Sequence, residues 1–270
     1  MNRKALISAI QDKKTMLCVG LDTDIKRIPQ FIIDHYEDPI VEFNRRIIAA
    51  TSDECVAYKF NIAFYESLGP KGWEALERSL DLIPDGIFTI ADAKRGDIGN
   101  TSKLYARTFF ETYDFDSITV SPYMGSDSLE PFYGYDDKWI IILGLTSNKG
   151  SQDVQMQQLK NGERVYQETI RRCAEYGDAS NTMFVVGATK SEYIKEIRDI
   201  VPDHFFLMPG IGKQGGDLQS SLDNGMTDDY GLLINSSRGI IYADETESFD
   251  EGALAAAKTL NAAIRDHVSF

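Results

Sequence analysis

Cysteine and histidine are scarce in this 270-residue chain, which holds three of each. Cys18, Cys55 and Cys173 form an odd set without CxxC spacing, so neither a disulfide framework nor a zinc ribbon organises the fold, and a reducing cytoplasm is the expected setting. His35, His204 and His267 are scattered, which leaves no metal triad and no Ser-His-Asp relay. Basic residues are outnumbered: 28 Lys and Arg against 42 Asp and Glu give a formal net charge of -14, which repels nucleic-acid phosphates and anionic membranes at long range. A small anion gripped by local positive groups stays compatible with that balance. Long apolar runs are missing as well, so no membrane span is expected, and Met1 to Asp12 reads as a surface helix rather than a leader. No GxGxxG follows the first strand and no GxxxxGK[ST] loop occurs, which argues against dinucleotide and P-loop sites.

What is present is ordinary in amount and regular in pattern. With 43% hydrophobic and 26% charged residues the chain has the composition of a folded globular protein. Short apolar runs predict strands at Met16–Leu21, Val56–Ile62, Ile87–Ala91, Ser117–Val120, Trp139–Leu145, Met183–Gly187, His204–Met208 and Gly231–Asn235. Between them, helical spacing of apolar residues predicts helices at Pro39–Thr51, Lys71–Asp81, Ser102–Thr112, Glu163–Tyr176, Ser191–Ile200 and Gly252–His267. Strand and helix alternate, and several strands are apolar throughout, as strands covered on both faces are. Eight such units close most naturally as a (β/α)8 barrel in one domain over residues 1–270, with a doubly wound open sheet as the alternative. Two connections, Thr23–Asp38 and Asn148–Gly162, are longer than a barrel requires and follow strands, where barrel enzymes carry their chemistry.

Charge appears where strands should resist it. The third strand runs into Asp92, Lys94 and Asp97, the second carries Lys59, and the first ends at Asp22. Removing an ion from water costs several kcal/mol unless partners satisfy it, so these residues imply mutual pairing or a charged ligand. A structural ion-pair network is the plainer alternative. Strand seven leads into Pro209-Gly210-Ile211-Gly212-Lys213-Gln214-Gly215-Gly216, and strand eight into Ser236-Ser237-Arg238-Gly239. Loops of this kind after strands seven and eight of a barrel offer backbone N–H groups to a phosphate, and Arg238 adds a charged fork. Glycine-rich turns and helix caps use the same residues. The aromatic stretch Pro131–Tyr135 reads as packing rather than a stacking platform.

The pattern Asp92-x-Lys94-x-x-Asp97-Ile98-x-x-Thr101, with Asp22 and Lys59 before it and PGIGKQGG and SSRG after it, resembles the orotidine 5'-monophosphate decarboxylase family. LDTD at Leu21–Asp24, KFNIAFYE at Lys59–Glu66 and TSNKGS at Thr146–Ser151 are similar to its longer bacterial-type members. The resemblance implies a (β/α)8 homodimer that converts orotidine 5'-monophosphate to UMP in pyrimidine biosynthesis with neither metal nor organic cofactor. It implies that Asp22 and Lys59 bind the ribose, that Asp92 faces the substrate carboxylate, and that Lys94 protonates C6. Asp97 and Thr101 would complete the partner's site, Ser147 would meet the pyrimidine, and Gln214, Ser237 and Arg238 would hold the phosphate. The sequence departs from the pattern at the Thr23–Asp38 insertion and in a short loop after strand seven. A Mg²⁺-dependent sugar-phosphate decarboxylase of the same superfamily and a non-catalytic nucleotide-binding protein are the alternatives.

Overall fold

The computed structural model describes residues 1–187, 191–211 and 217–270. Within them the apolar runs become strands β1 (Leu17–Gly20), β2 (Ala57–Asn61), β3 (Phe88–Arg95), β4 (Ser117–Val120), β5 (Trp139–Leu145), β6 (Thr182–Val186), β7 (Phe205–Pro209) and β8 (Leu232–Ser236). The strands close in chain order into a barrel, and the ladders β1–β2, β2–β3, β4–β5, β5–β6 and β6–β7 are parallel. With helices between strands, this is the expected (β/α)8 architecture. Among the described residues no helix is long and apolar enough to cross a membrane.

By internal contacts the chain divides into a terminal unit, Ser8–Ala93 with Asn235–Phe270, and a central unit, Met1–Ile7 with Lys94–Ile234. In the terminal unit, β1 is buried throughout and β2 is buried up to Asn61. The helix Pro39–Thr51 begins with proline, whose missing N–H has no partner to lose at that position, and it buries Ile40, Val41, Phe43, Ile47 and Ile48. Phe43 stacks on Phe249 of the helix Phe249–Arg265 at 4.8 Å between ring centroids. In the central unit, β4 and β6 are buried along their length. The register of β5 against β6 shifts between Leu143 and Leu145, a bulge that re-aims the strand just before Thr146 and Ser147. Trp139 Nε1 donates to the Met1 carbonyl at 2.8 Å, so the chain's start is tied to the amino end of β5. Phe132 of the aromatic stretch is buried and meets Phe110 edge-on, as expected of packing.

Several details differ from the sequence expectation. β3 continues to Arg95 rather than ending at Ala91, because the ladder carries on through Asn61 opposite Asp92. The expected helix Ser102–Thr112 is an α-helix over Gly99–Arg107 that widens into a π turn at Thr108–Thr112. The long Thr23–Asp38 connection is not bare loop: it holds a 3₁₀ turn at Ile25–Arg27 and a short helix at Gln30–His35.

Candidate active site

In the terminal unit β2 delivers Lys59 at an inward position, 4% exposed, between two carboxylates. Its Nζ lies 3.3 Å from Asp22 Oδ1 beyond the end of β1 and 3.1 Å from Asp92 Oδ2 on β3. The parallel register makes this meeting possible, since Gly20 sits opposite Lys59 and Asn61 sits opposite Asp92. Burial by itself would push the Lys59 ammonium down, but Asp22 and then Asp92 outweigh it and hold the group above its ordinary range. The lysine is therefore a fixed cation at neutral pH. The carboxylate oxygens around the ammonium are acceptors that suit hydroxyl donors.

The same unit carries Ser237 and Arg238. Ser237 precedes the short helix Arg238–Ile241 and accepts through its carbonyl from the Ile240 and Ile241 N–H groups. Gly20 on β1 has no substitute here, because a Cβ at that position would collide with Ser237 Oγ. Ser237 is half-buried and Arg238 is exposed.

In the central unit Lys94 is the next-to-last residue of β3. Its backbone has φ of 50°, a left-handed conformation rare outside glycine, and its N–H donates to Thr119 Oγ1 on β4 at 2.9 Å. Lys94 is exposed. Asp97 Oδ1 accepts from the Ile98 N–H at 2.8 Å just ahead of the helix Gly99–Arg107, which carries Thr101 on its exposed side.

Ser147 follows β5 and is half-buried beside a cavity of about 440 Å³ that Asn148, Met156, Gly187 and Tyr193 also line. Its backbone is boxed in. A Cβ on Gly187 would come within 2.8 Å of the Ser147 nitrogen, and Gln155 clamps the preceding residue by accepting from the Thr146 N–H at 2.8 Å and donating to Thr146 Oγ1 at 2.9 Å. Gln155 was not singled out from sequence, because a glutamine in a polar loop carries no pattern. Gln214 lies outside the described residues.

A family model described as "Orotidine 5'-phosphate decarboxylase / HUMPS family" matches residues 15–249. The chain belongs to this family. It is 54% identical over 261 residues to an orotidine 5'-phosphate decarboxylase of Bacteroides fragilis, covering 96% of this chain and 95% of the relative. A Phocaeicola vulgatus protein of the same name is 55% identical over 252 residues, covering 92% of each. Among solved structures, the Leishmania donovani OMP decarboxylase superposes with a TM-score of 0.84 at 37% identity, covering 99% of this chain and 100% of that one. In the family's terms, the Asp-Lys-Asp cluster lies on the pattern that first carried the resemblance, and the lysine at its centre is the one that β2 buries.

Proposed function

We propose that the chain decarboxylates orotidine 5'-monophosphate to UMP, the pyrimidine-forming step, without metal or organic cofactor. The observation that carries this reading is the buried Lys59 ammonium held between Asp22 and Asp92 in a chain that matches the decarboxylase family over most of its length. In this reading Asp22 and Lys59 bind the ribose hydroxyls, Lys59 also fixes Asp92, and Asp92 faces the substrate carboxylate. Ser147 meets the pyrimidine, while Ser237, Arg238 and Gln214 hold the phosphate.

The chemistry explains why charge is needed. Loss of CO₂ leaves an electron pair on C6 in the ring plane, where no carbonyl delocalises it, so the protein stabilises localised negative charge and supplies a proton as it forms. Lys94 takes both tasks in this reading. An ammonium about 4 Å from the developing carbanion contributes about 4 kcal/mol at an effective dielectric near 20, about three decades in rate. The remainder comes from fixed charges and from phosphate and ribose binding expressed at the transition state.

The reading also includes one barrel domain over residues 1–270, a cytoplasmic location and a homodimer in which Asp97 and Thr101 complete the partner's site. Three buried, unpaired cysteines support the reducing compartment. Apolar exposure beside Thr101, at Ile98 and Leu104 with 51% each, supports a surface that a second copy covers.

The test is loss of ultraviolet absorbance from orotidine 5'-monophosphate on adding purified protein, with and without exhaustive chelation. Consumption unaffected by EDTA is expected. Binding of UMP without consumption would leave a nucleotide-binding protein, and EDTA sensitivity would move the chain to metal-dependent chemistry. Lys94→Ala should lower turnover at least about a thousandfold while inorganic phosphate affinity stays within about twofold, because the ammonium acts on the transition state. For the shared site, Lys94→Ala and Asp97→Ala proteins mixed after dissociation should regain about a quarter of wild-type activity, since half of randomly assorted dimers are mixed and each has one intact site. No gain on mixing would leave each site within one chain.

A further inference from the structure

Behind Asp22 lies a buried polar network that the proposed chemistry does not use. Asn44 sits inside the helix Pro39–Thr51, fully buried, on the face that also presents Ile40, Ile47 and Ile48. An asparagine there is unfavourable twice over, as a mediocre helix former and as a desolvated amide, unless its polar atoms are all satisfied. They are. Asn44 Oδ1 accepts from Thr23 Oγ1 at 2.6 Å, and Asn44 Nδ2 donates to Tyr65 Oη and Ser79 Oγ, both at 3.0 Å. Tyr65 Oη in turn donates to the Leu21 carbonyl at 3.0 Å. Thr23, Tyr65 and Ser79 are each 2% exposed or less.

The network grips the chain on both shoulders of one residue. Leu21 is held through its carbonyl by Tyr65, and Thr23 is held through its hydroxyl by Asn44. From another side Tyr242 Oη donates to the Asp22 carbonyl at 3.3 Å and accepts from the Asp24 N–H at 2.7 Å. Asp22 itself is only part-buried, and its carboxylate accepts from the Lys59 ammonium at 3.3 Å. Four consecutive residues are thus anchored by neighbours whose polar capacity is spent on backbone and hydroxyl groups, while the Asp22 side chain is left to act outward. A core that needed stability alone would be served by apolar side chains of similar volume.

We propose that Tyr65 and Asn44 are positioning residues for Asp22, fixing the Leu21–Asp24 turn so that the Asp22 carboxylate stands ready for the ribose hydroxyls. This rests on the reading above that Asp22 binds the ribose. Neither residue touches the nucleotide; each acts through the turn it holds. Tyr65→Phe removes one hydroxyl and keeps the ring, releasing the Leu21 carbonyl and one Asn44 N–H. Thr23→Val removes the opposite tie and leaves the shape of the side chain.

The experiment is calorimetric binding of UMP and of 2',3'-dideoxyuridine 5'-monophosphate, which lacks both ribose hydroxyls, to wild type, Tyr65→Phe and Thr23→Val. Melting curves are recorded alongside. Wild type should prefer UMP by about tenfold or more, as expected when a part-buried charged acceptor loses its donors. Each variant should lose most of that preference, with UMP weakened about tenfold and the dideoxy nucleotide changed less than twofold. A merely structural role weakens both nucleotides alike or neither, and either result in a variant that still melts cooperatively overturns the proposal. Should one variant fail to fold, the other decides. A wild type indifferent to the ribose hydroxyls would instead overturn the assignment of Asp22 to the ribose, a failure separate from that of the network.

Discussion

Lys59 and Arg198 are both cations drawn into protein, and both are surrounded by oxygen, but the oxygens differ. Around Lys59 they belong to the carboxylates of Asp22 and Asp92, and the lysine is held above its ordinary range. Around Arg198, in the central unit, they are backbone carbonyls: Nε and Nη2 donate to Gly225 at 2.9 and 2.5 Å, Nη1 to Val201, Pro202 and His204, and Nη2 also to Gly231. The guanidinium also lies 3.7 Å from the centroid of the Phe206 ring. Burial lowers Arg198 to about 10 against the opposing pull of Asp203, which still leaves it charged at neutral pH. Carbonyl dipoles that end helices and begin strands need a donor, and an arginine with five N–H groups supplies it. One cation ties loose backbone together and is saturated. The other sits among full charges drawn out of water, and a buried cluster of ions is what marks a site for chemistry.

The largest effect that would break this contrast comes from Lys59→Met. Removing the ammonium leaves Asp22 and Asp92 without the cation they share, so the two carboxylates no longer hold their places around it. Turnover of orotidine 5'-monophosphate should fall by at least about two decades at pH 7. Unchanged kcat/KM would reduce the cluster to structure. Arg198→Met should behave in the opposite sense. It strips donors from five carbonyls and should cost about 3 kcal/mol in urea unfolding, with kcat per folded molecule unchanged. Loss of activity in protein that remains folded would mean that the saturated cation is not merely a tie.

The contrast was half legible in the sequence. Lys59 stood out because a lysine amid Tyr58 and Phe60 on an apolar run has no structural excuse, and its partners followed from strand ends. The strands themselves read well where apolar runs have polar borders, as β4 and β5 do, and poorly where charge continues the ladder, as in β3 through Asp92 and Arg95. The left-handed backbone at Lys94 left no trace, since nothing in Ala93-Lys94-Arg95 announces a positive φ. Single-turn helices such as Ile62–Glu66 are too short for periodicity to register. Asn44 was findable: it occupies the buried stripe with Ile40, Ile47 and Ile48, where a polar residue calls for partners. Those partners, Thr23, Tyr65 and Ser79, come from three other segments, and only the fold brings them together.

The finest test lies one residue group away from Arg198. His204, just ahead of β7, is buried against Phe184 at 5.5 Å between ring centroids, and neither ring nitrogen has a hydrogen-bond partner among the described residues. Burial first, then the positive charges of Arg198 and Arg3, lower its pKa from 6.5 to about 4. Asp203 and Asp178 pull the other way and lose. The unfolded chain therefore binds a proton that the folded chain refuses, so stability is fully present above pH 6.5, declines as pH falls, and levels off below about pH 4. The slope from this one group is at most about 1.4 kcal/mol per pH unit. His204→Phe removes the proton site and two unsatisfied nitrogens while keeping a ring beside Phe184, so it should be at least as stable as wild type at pH 7 and should flatten the loss of stability between pH 6.5 and 4. Urea midpoints of the two proteins across that window measure the difference directly. Parallel curves would mean that the folded protein accepts the proton after all, and that the region around Arg198 tolerates a second positive charge.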